Sequence, residues 1–180
     1  VSAGVCILDA SRHRVGERDG LLALLSEQLG VPARRLARPL DLERAFDASR
    51  RQHNATALLQ QVLALGGSSA EKLMAVVDVD LYIPVLTFVF GQAQLDGTAG
   101  VVSTFRLHSE FYGMPKDPQR FRERLDKEVL HEVGHLYGLY HCHQFECVMR
   151  SSTYVEEIDL KRAAFCADCA GLLRAGAGRP

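Results

Sequence analysis

The chain is short of the features that mark several protein classes. It has no charge excess: 21 Lys and Arg against 22 Asp and Glu leave a net charge of −1. That balance argues against a nucleic-acid or anionic-membrane surface as its main business. It has no apolar run long enough to cross a bilayer. The longest apolar region, Leu81 to Phe90, is interrupted by Pro84 and Thr87. The first residues lack the basic-then-apolar pattern of an export signal, so the expected compartment is cytoplasmic and no membrane partner is expected. There is no internal repeat and no low-complexity linker. The five cysteines are an odd number, which with no export signal speaks against a disulfide framework.

The content that remains is that of an ordinary globular protein, 47% apolar and 24% charged over 180 residues. One domain is the expectation, with a core of useful size. Val1 to Leu8 reads as a buried strand, with Cys6 as a small core residue. Asp9 to Gly16 reads as loop. Asp19 to Leu29 carries leucines at helical spacing and is closed by Gly30 and Pro32. Pro39 to Arg51 reads as loop plus a strand near Ala45 to Arg50. Asn54 is an N-cap for a helix from Ala55 to Leu65. Lys72 to Val79 predicts a central strand. Leu86 to Phe90 and Val101 to Leu107 predict two more, separated by a loop containing Gly91, Gly97 and Gly100. Asp78, Asp80 and Tyr82 read more readily as loop-forming and hydrogen-bonding residues than as a site.

Asp117-Pro118 is an N-cap followed by proline at the first helical position, and it starts a long helix predicted to reach Tyr137. Phe121, Leu125, Val129, Val133 and Leu136 form its apolar stripe. Arg120, Arg122 and Arg124 read as a solvated face. Asp159 to Leu173 predicts a last helix, and Ala175 to Pro180 a frayed tail. The order of elements implies an α/β (α+β) architecture, a mixed sheet packed on helices.

The end of the long helix carries the chemistry. His131-Glu132-Val133-Gly134-His135 places two imidazoles one turn apart on one face, where they can share a tetrahedral zinc. Gly138 can take the left-handed conformation that stops the helix. His141 can then return as a third ligand, leaving one position for water or substrate. Glu132 is placed to handle a proton of that water. A charged helix with merely solvated histidines would explain a bare HExxH, but not the added Gly138 and His141. Downstream, Cys142, Cys147, Cys166 and Cys169 have the spacing of a closed four-thiolate zinc site. Buried thiol pairs or disulfides are the alternative there. His143 competes with His141 for a metal role, but the spacing from Gly138 favours His141 and leaves His143 exposed.

These residues together resemble the archaemetzincin family of metzincin zinc peptidases. The resemblance rests on His131-Glu132-x-x-His135-x-x-Gly138-x-x-His141-Cys142, Cys147-x-Met149 and Cys166-x-x-Cys169. It extends upstream through Asp78-x-Asp80-x-Tyr82, Phe88-Val89-Phe90-Gly91 and Phe111-Tyr112-Gly113, and so covers residues 72 to 170. It implies a metzincin-like fold: a twisted mixed sheet whose edge strand lines a substrate cleft, and a zinc-stapled C-terminal segment. The expected division is residues 1–138 with the sheet and active-site helix, and 139–180 with the rest. It implies two Zn2+ per chain, a catalytic one on His131, His135 and His141 and a structural one on the four cysteines. Glu132 would be the general base and Met149 the Met-turn residue. Ser151 stands where some metzincins place a tyrosine that assists at the metal, and Tyr154 is not at that spacing. The expected activity is peptide-bond hydrolysis, with a peptide or protein substrate, no nucleic-acid partner and a monomeric chain. Its rival is a zinc-stabilised peptide-binding protein with a silent or restricted site. A zinc-ribbon nucleic-acid module would leave the HExxH helix unexplained.

Overall fold

The computed structural model describes residues 4–11, 19–66 and 71–176. A five-stranded sheet runs in the order β2 (Ala33–Ala37), β1 (Gly4–Asp9), β5 (Glu71–Val77), β9 (Ala99–Ser103), β8 (Gly91–Ala93). The first four strands are mutually parallel, and β8 joins antiparallel at the edge with Gln92 opposite Val101. Parallel strands covered on both faces need apolar residues at successive positions rather than at alternate ones. Val5-Cys6-Ile7-Leu8 and Leu73-Met74-Ala75-Val76-Val77 are such runs, and all nine residues are buried.

Alternate residues of these runs serve two cores. Val5, Ile7, Met74, Val76 and Val102 face α1 (Asp19–Leu29) and the long α3 (Pro118–Leu136). Cys6, Leu8, Leu73, Ala75, Val77 and Val101 pack with Leu58, Leu59 and Val62 of α2 (Ala55–Ala64). A small second sheet, β3 (Phe46–Asp47), β4 (Gln52–Asn54), β6 (Leu81–Ile83) and β7 (Leu86–Val89), lies in the order β3-β4-β6-β7. The fold is thus a mixed α/β sandwich. Among the described residues no helix is long and apolar enough to cross a membrane.

Helix α3 begins where Asp117 accepts a hydrogen bond from the Arg120 N–H at 2.9 Å, with Pro118 at the first position. It ends at Gly138, whose φ of 85° is a conformation that favours glycine. There Gly138 N donates to His135 O at 2.9 Å and Leu139 N to Gly134 O at 3.0 Å, and the chain reverses.

Several predicted bounds shift. The strand expected at Ala45 to Arg50 is only Phe46–Asp47, because Asp47 accepts from Ser49 N and Arg50 N and turns the chain. Val101 to Leu107 is strand to Ser103 and then a 3-10 turn from Phe105 to Leu107. The glycine loop contains β8 itself. Residues 1–3, 12–18 and 177–180, which the first strand, first loop and tail predictions include, lie outside the described residues.

The largest revision is at the C-terminus. One helix from Asp159 to Leu173 is replaced by α4 (Val155–Asp159), an irregular stretch, and α5 (Ala167–Ala175). In between, the chain lies against residues 146–148: Arg162 N donates to Glu146 O at 2.8 Å, and Val148 N to Ala164 O at 3.1 Å. This path carries Cys166 to the other thiols, which a continuous helix would forbid. Arg124 is not on the solvated face. It is 4% exposed, and its guanidinium forks onto the Asp159 carboxylate at 2.7 and 2.7 Å and donates to Leu107 O at 3.0 Å. Bidentate pairing makes this burial tolerable and clamps α3 to the end of α4.

Candidate metal centres and substrate cleft

Three imidazoles converge at the end of α3. His131 and His135 project from its last two turns, and His141 returns after the Gly138 reversal. Ring centroids are 4.7 Å apart for His131 and His135, 5.3 Å for His131 and His141, and 5.0 Å for His135 and His141. One nitrogen from each ring lies within 4.8 Å of the other two.

The rings are held from behind. His131 Nδ1 lies 2.8 Å from Val148 O, and His135 Nδ1 lies 2.7 Å from Leu139 O. A carbonyl oxygen can only accept, so each Nδ1 carries the proton and each Nε2 presents a lone pair. Those two Nε2 atoms face each other at 3.1 Å. Two lone pairs at that distance repel unless a cation lies between them. A proton is disfavoured, because burial drives the His131 and His135 pKa values down and the Lys161 ammonium adds to this. A tetrahedral zinc bound at about 2.0–2.1 Å would separate its nitrogens by roughly 3.4 Å. The donor set therefore fits zinc.

Glu132, 7% exposed, faces the same cleft. Burial raises its carboxyl well above the usual range; Glu128, one turn back on the same face, raises it further, and Lys161 opposes both. Its room comes from the edge strand: a Cβ at Gly91 of β8 would stand 2.7 Å from Glu132 Cγ and 2.9 Å from Oε1. The cleft has a volume of about 480 Å³. It is lined by residues of β7, β8 and α3 and by Ser151, Ser152 and Thr153. Glu128 and Lys161 also line it and approach to 3.7 Å with both side chains buried. The motif reading did not include this pair. Glu128 was legible as the residue four before Glu132, while Lys161 reaches the cleft only through tertiary folding. Ser151 lines the cleft, and Tyr154 is 63% exposed. His143 is exposed, as expected.

Met149 is fully buried against α3 at Gly134. Its sulfur sits where Gly134, between the two helical ligand positions, has no side chain; a Cβ there would stand 2.4 Å from Met149 Sδ. Gly134→Ala adds helix propensity of about 1 kcal/mol. Overpacking against a buried methionine costs more, so the net expectation is a loss of about 1–2 kcal/mol. Urea unfolding should show a lower midpoint at unchanged slope. A higher midpoint would mean that Met149 yields freely.

The four thiols lie together behind this site. The Sγ atoms of Cys142 and Cys166 are 3.8 Å apart, as are those of Cys147 and Cys169, and all four fall within 4.8 Å. A tetrahedral zinc with Zn–S of about 2.3 Å sets sulfurs roughly 3.8 Å apart. Backbone N–H groups point at two of them, Gln144 N at Cys142 Sγ and Cys166 N at Cys147 Sγ, each at 3.4 Å. All four are free cysteines, so disulfides are not what is found, and a shared zinc or buried thiol pairs are the readings the geometry accommodates. The two clusters are adjacent in the chain. His141 precedes Cys142, and the carbonyl that orients His131 belongs to Val148, next to Cys147.

Comparison with known proteins agrees with this geometry. The model of peptidase family M54 matches residues 6–175. The archaemetzincin of Archaeoglobus fulgidus is 38% identical over 131 residues, 73% of this chain and 74% of that one. The crystal structure of a zinc-dependent peptidase from Methanocorpusculum labreanum superposes with a TM-score of 0.86 at 32% identity, covering 94% of this chain and 99% of its own. That of the Methanopyrus kandleri archaemetzincin gives 0.82 at 34% identity, covering 99% and 97%. The chain belongs to peptidase family M54, and it is a zinc metallopeptidase akin to the archaemetzincins.

Proposed function

We propose that this chain hydrolyses peptide bonds in the cleft between β8 and α3, with zinc held by His131, His135 and His141 and with Glu132 as general base. The observation that carries the proposal is the facing pair of Nε2 lone pairs at 3.1 Å, in one cleft with a buried carboxylate. Zinc held there would supply Lewis acidity, lowering the pKa of a bound water towards about 7 and polarising the scissile carbonyl. Glu132 takes a proton from the attacking water and passes it to the leaving amine. A carboxylate whose proton affinity is raised by burial suits that task. Among the described residues strand β8 pairs with β9 alone, so its other edge offers backbone groups to an extended peptide. A second zinc, held by Cys142, Cys147, Cys166 and Cys169, staples the segment after Gly138. In this reading residues 1–138 and 139–180 form the two sides of one peptidase unit.

The test is a diverse peptide library incubated with zinc-loaded protein. Cleavage should be abolished by a chelator and restored by added zinc. Tight peptide capture with no cleavage at any zinc level would instead mark the chain as a binding protein.

A further inference from the structure

The Phe111-Tyr112-Gly113 stretch has no part in the chemistry above, yet it builds a rigid surface continuous with the cleft. Phe88 of β7 lines the cleft. The Arg106 guanidinium stacks on the Phe88 ring at 4.0 Å and on the Phe111 ring at 4.8 Å. Arg106 is held in place by the Asp80 carboxylate, which accepts from it at 2.6 and 2.8 Å. Phe111 in turn meets Phe105 at 5.4 Å and Tyr112 at 4.9 Å between ring centroids. Tyr112 is fixed by donating its hydroxyl to Arg106 O at 3.0 Å.

Despite these contacts the surface stays open. Phe105 is 39% exposed, Phe111 42%, Tyr112 40% and Met114 57%. A cluster of touching, partly exposed rings, with the exposed Met114 close by in the chain, is of the kind that marks an interaction site. The Arg106 charge is already satisfied by Asp80, so the patch favours an apolar partner over an acidic one. Rings locked in advance lose little entropy when covered. From Phe88 to Phe111 the stack spans about three residues of extended chain.

We propose that this aromatic platform is an exosite for the substrate polypeptide, taking an aromatic or long aliphatic side chain that lies a few residues beyond the cleft. The occupant follows from continuity, since Phe88 belongs to the cleft lining and to the stack alike. This inference rests on the peptidase reading, but its test does not need cleavage.

Zinc-loaded Glu132→Gln protein is titrated into fluorescein-labelled unfolded casein and binding is read as anisotropy. Adding Phe111→Ser with Met114→Ser should raise Kd about tenfold, with zinc content and the urea midpoint matching the parent. Tyr112→Ser, made separately, should act in the same direction and guards against a folding defect in the double variant. An unchanged Kd in both, or no capture by the parent, overturns the exosite. So does a parent that sediments as a dimer and is made monomeric by Phe111→Ser, because a second copy then covers the patch. Failure of the unsubstituted chain to cleave, with capture intact, would count against the catalytic reading alone.

Discussion

Glu132→Gln should leave zinc content unchanged and lower kcat for peptide hydrolysis by a factor on the order of 10²–10⁴. Glutamine has the same shape, so it fits the space opened by Gly91 without repacking. It cannot accept the proton of the attacking water. The group acts in the transition state, so kcat and kcat/KM should fall together. Stability gives an independent check. Burial and the neighbouring Glu128 disfavour charge at this position and Lys161 opposes them, so in the metal-free protein the neutral side chain should unfold at no lower a temperature than the native one. Lost turnover with preserved stability identifies a side chain kept for chemistry. Full retention of kcat would remove Glu132 from the mechanism.

Cys166→Ser should reduce bound zinc from two ions per chain to one. Serine is a favoured N-cap, and position 166 is the N-cap of α5, so the local helix start loses nothing. What is lost is a thiolate ligand, and with it the staple that joins the turn at residues 142–147 to the start of α5. Losing a structural metal belongs among the largest single-residue effects, on the order of 5 kcal/mol or more. For a chain of this size that is a fall in Tm of about 10–20 °C. Peptide hydrolysis should fall as well, since Val148 O orients His131 from the same stretch. Two retained ions with an unchanged Tm would show that the thiols do not share a metal.

Which parts of the molecule were legible in the sequence follows from where their determinants lie. Helix α3 announced both ends, because Asp117-Pro118 and Gly138 act through local backbone chemistry. Strands β1 and β5 were legible because a sheet covered on both faces demands unbroken apolar runs. Strand β2 was not, because Ala33-Arg34-Arg35-Leu36-Ala37 sits at the sheet edge, where a polar strand is tolerated and Arg34 can pair with Glu71. Strand β8 hid among glycines, since three residues show no periodicity. Arg124 looked solvated because its partner Asp159 is far along the chain. The histidine triplet and each cysteine pair were legible as candidates because their spacing is local, whereas the path that brings the two cysteine pairs together was not. Gly91 and Lys161 enter the cleft from other elements, and no spacing rule reaches that far.

The junction between His141 and Cys142 binds the two clusters into one unit. Adjacent Cα atoms stand 3.8 Å apart, and here that single step separates an imidazole cluster from a sulfur cluster. Inserting one residue would displace one of the two by about the length of a metal–ligand bond or more. Neither can drift in position or be transplanted to another scaffold by itself. Evolution and protein engineering alike must treat the HExxH helix end and the cysteine-rich tail as one inherited part.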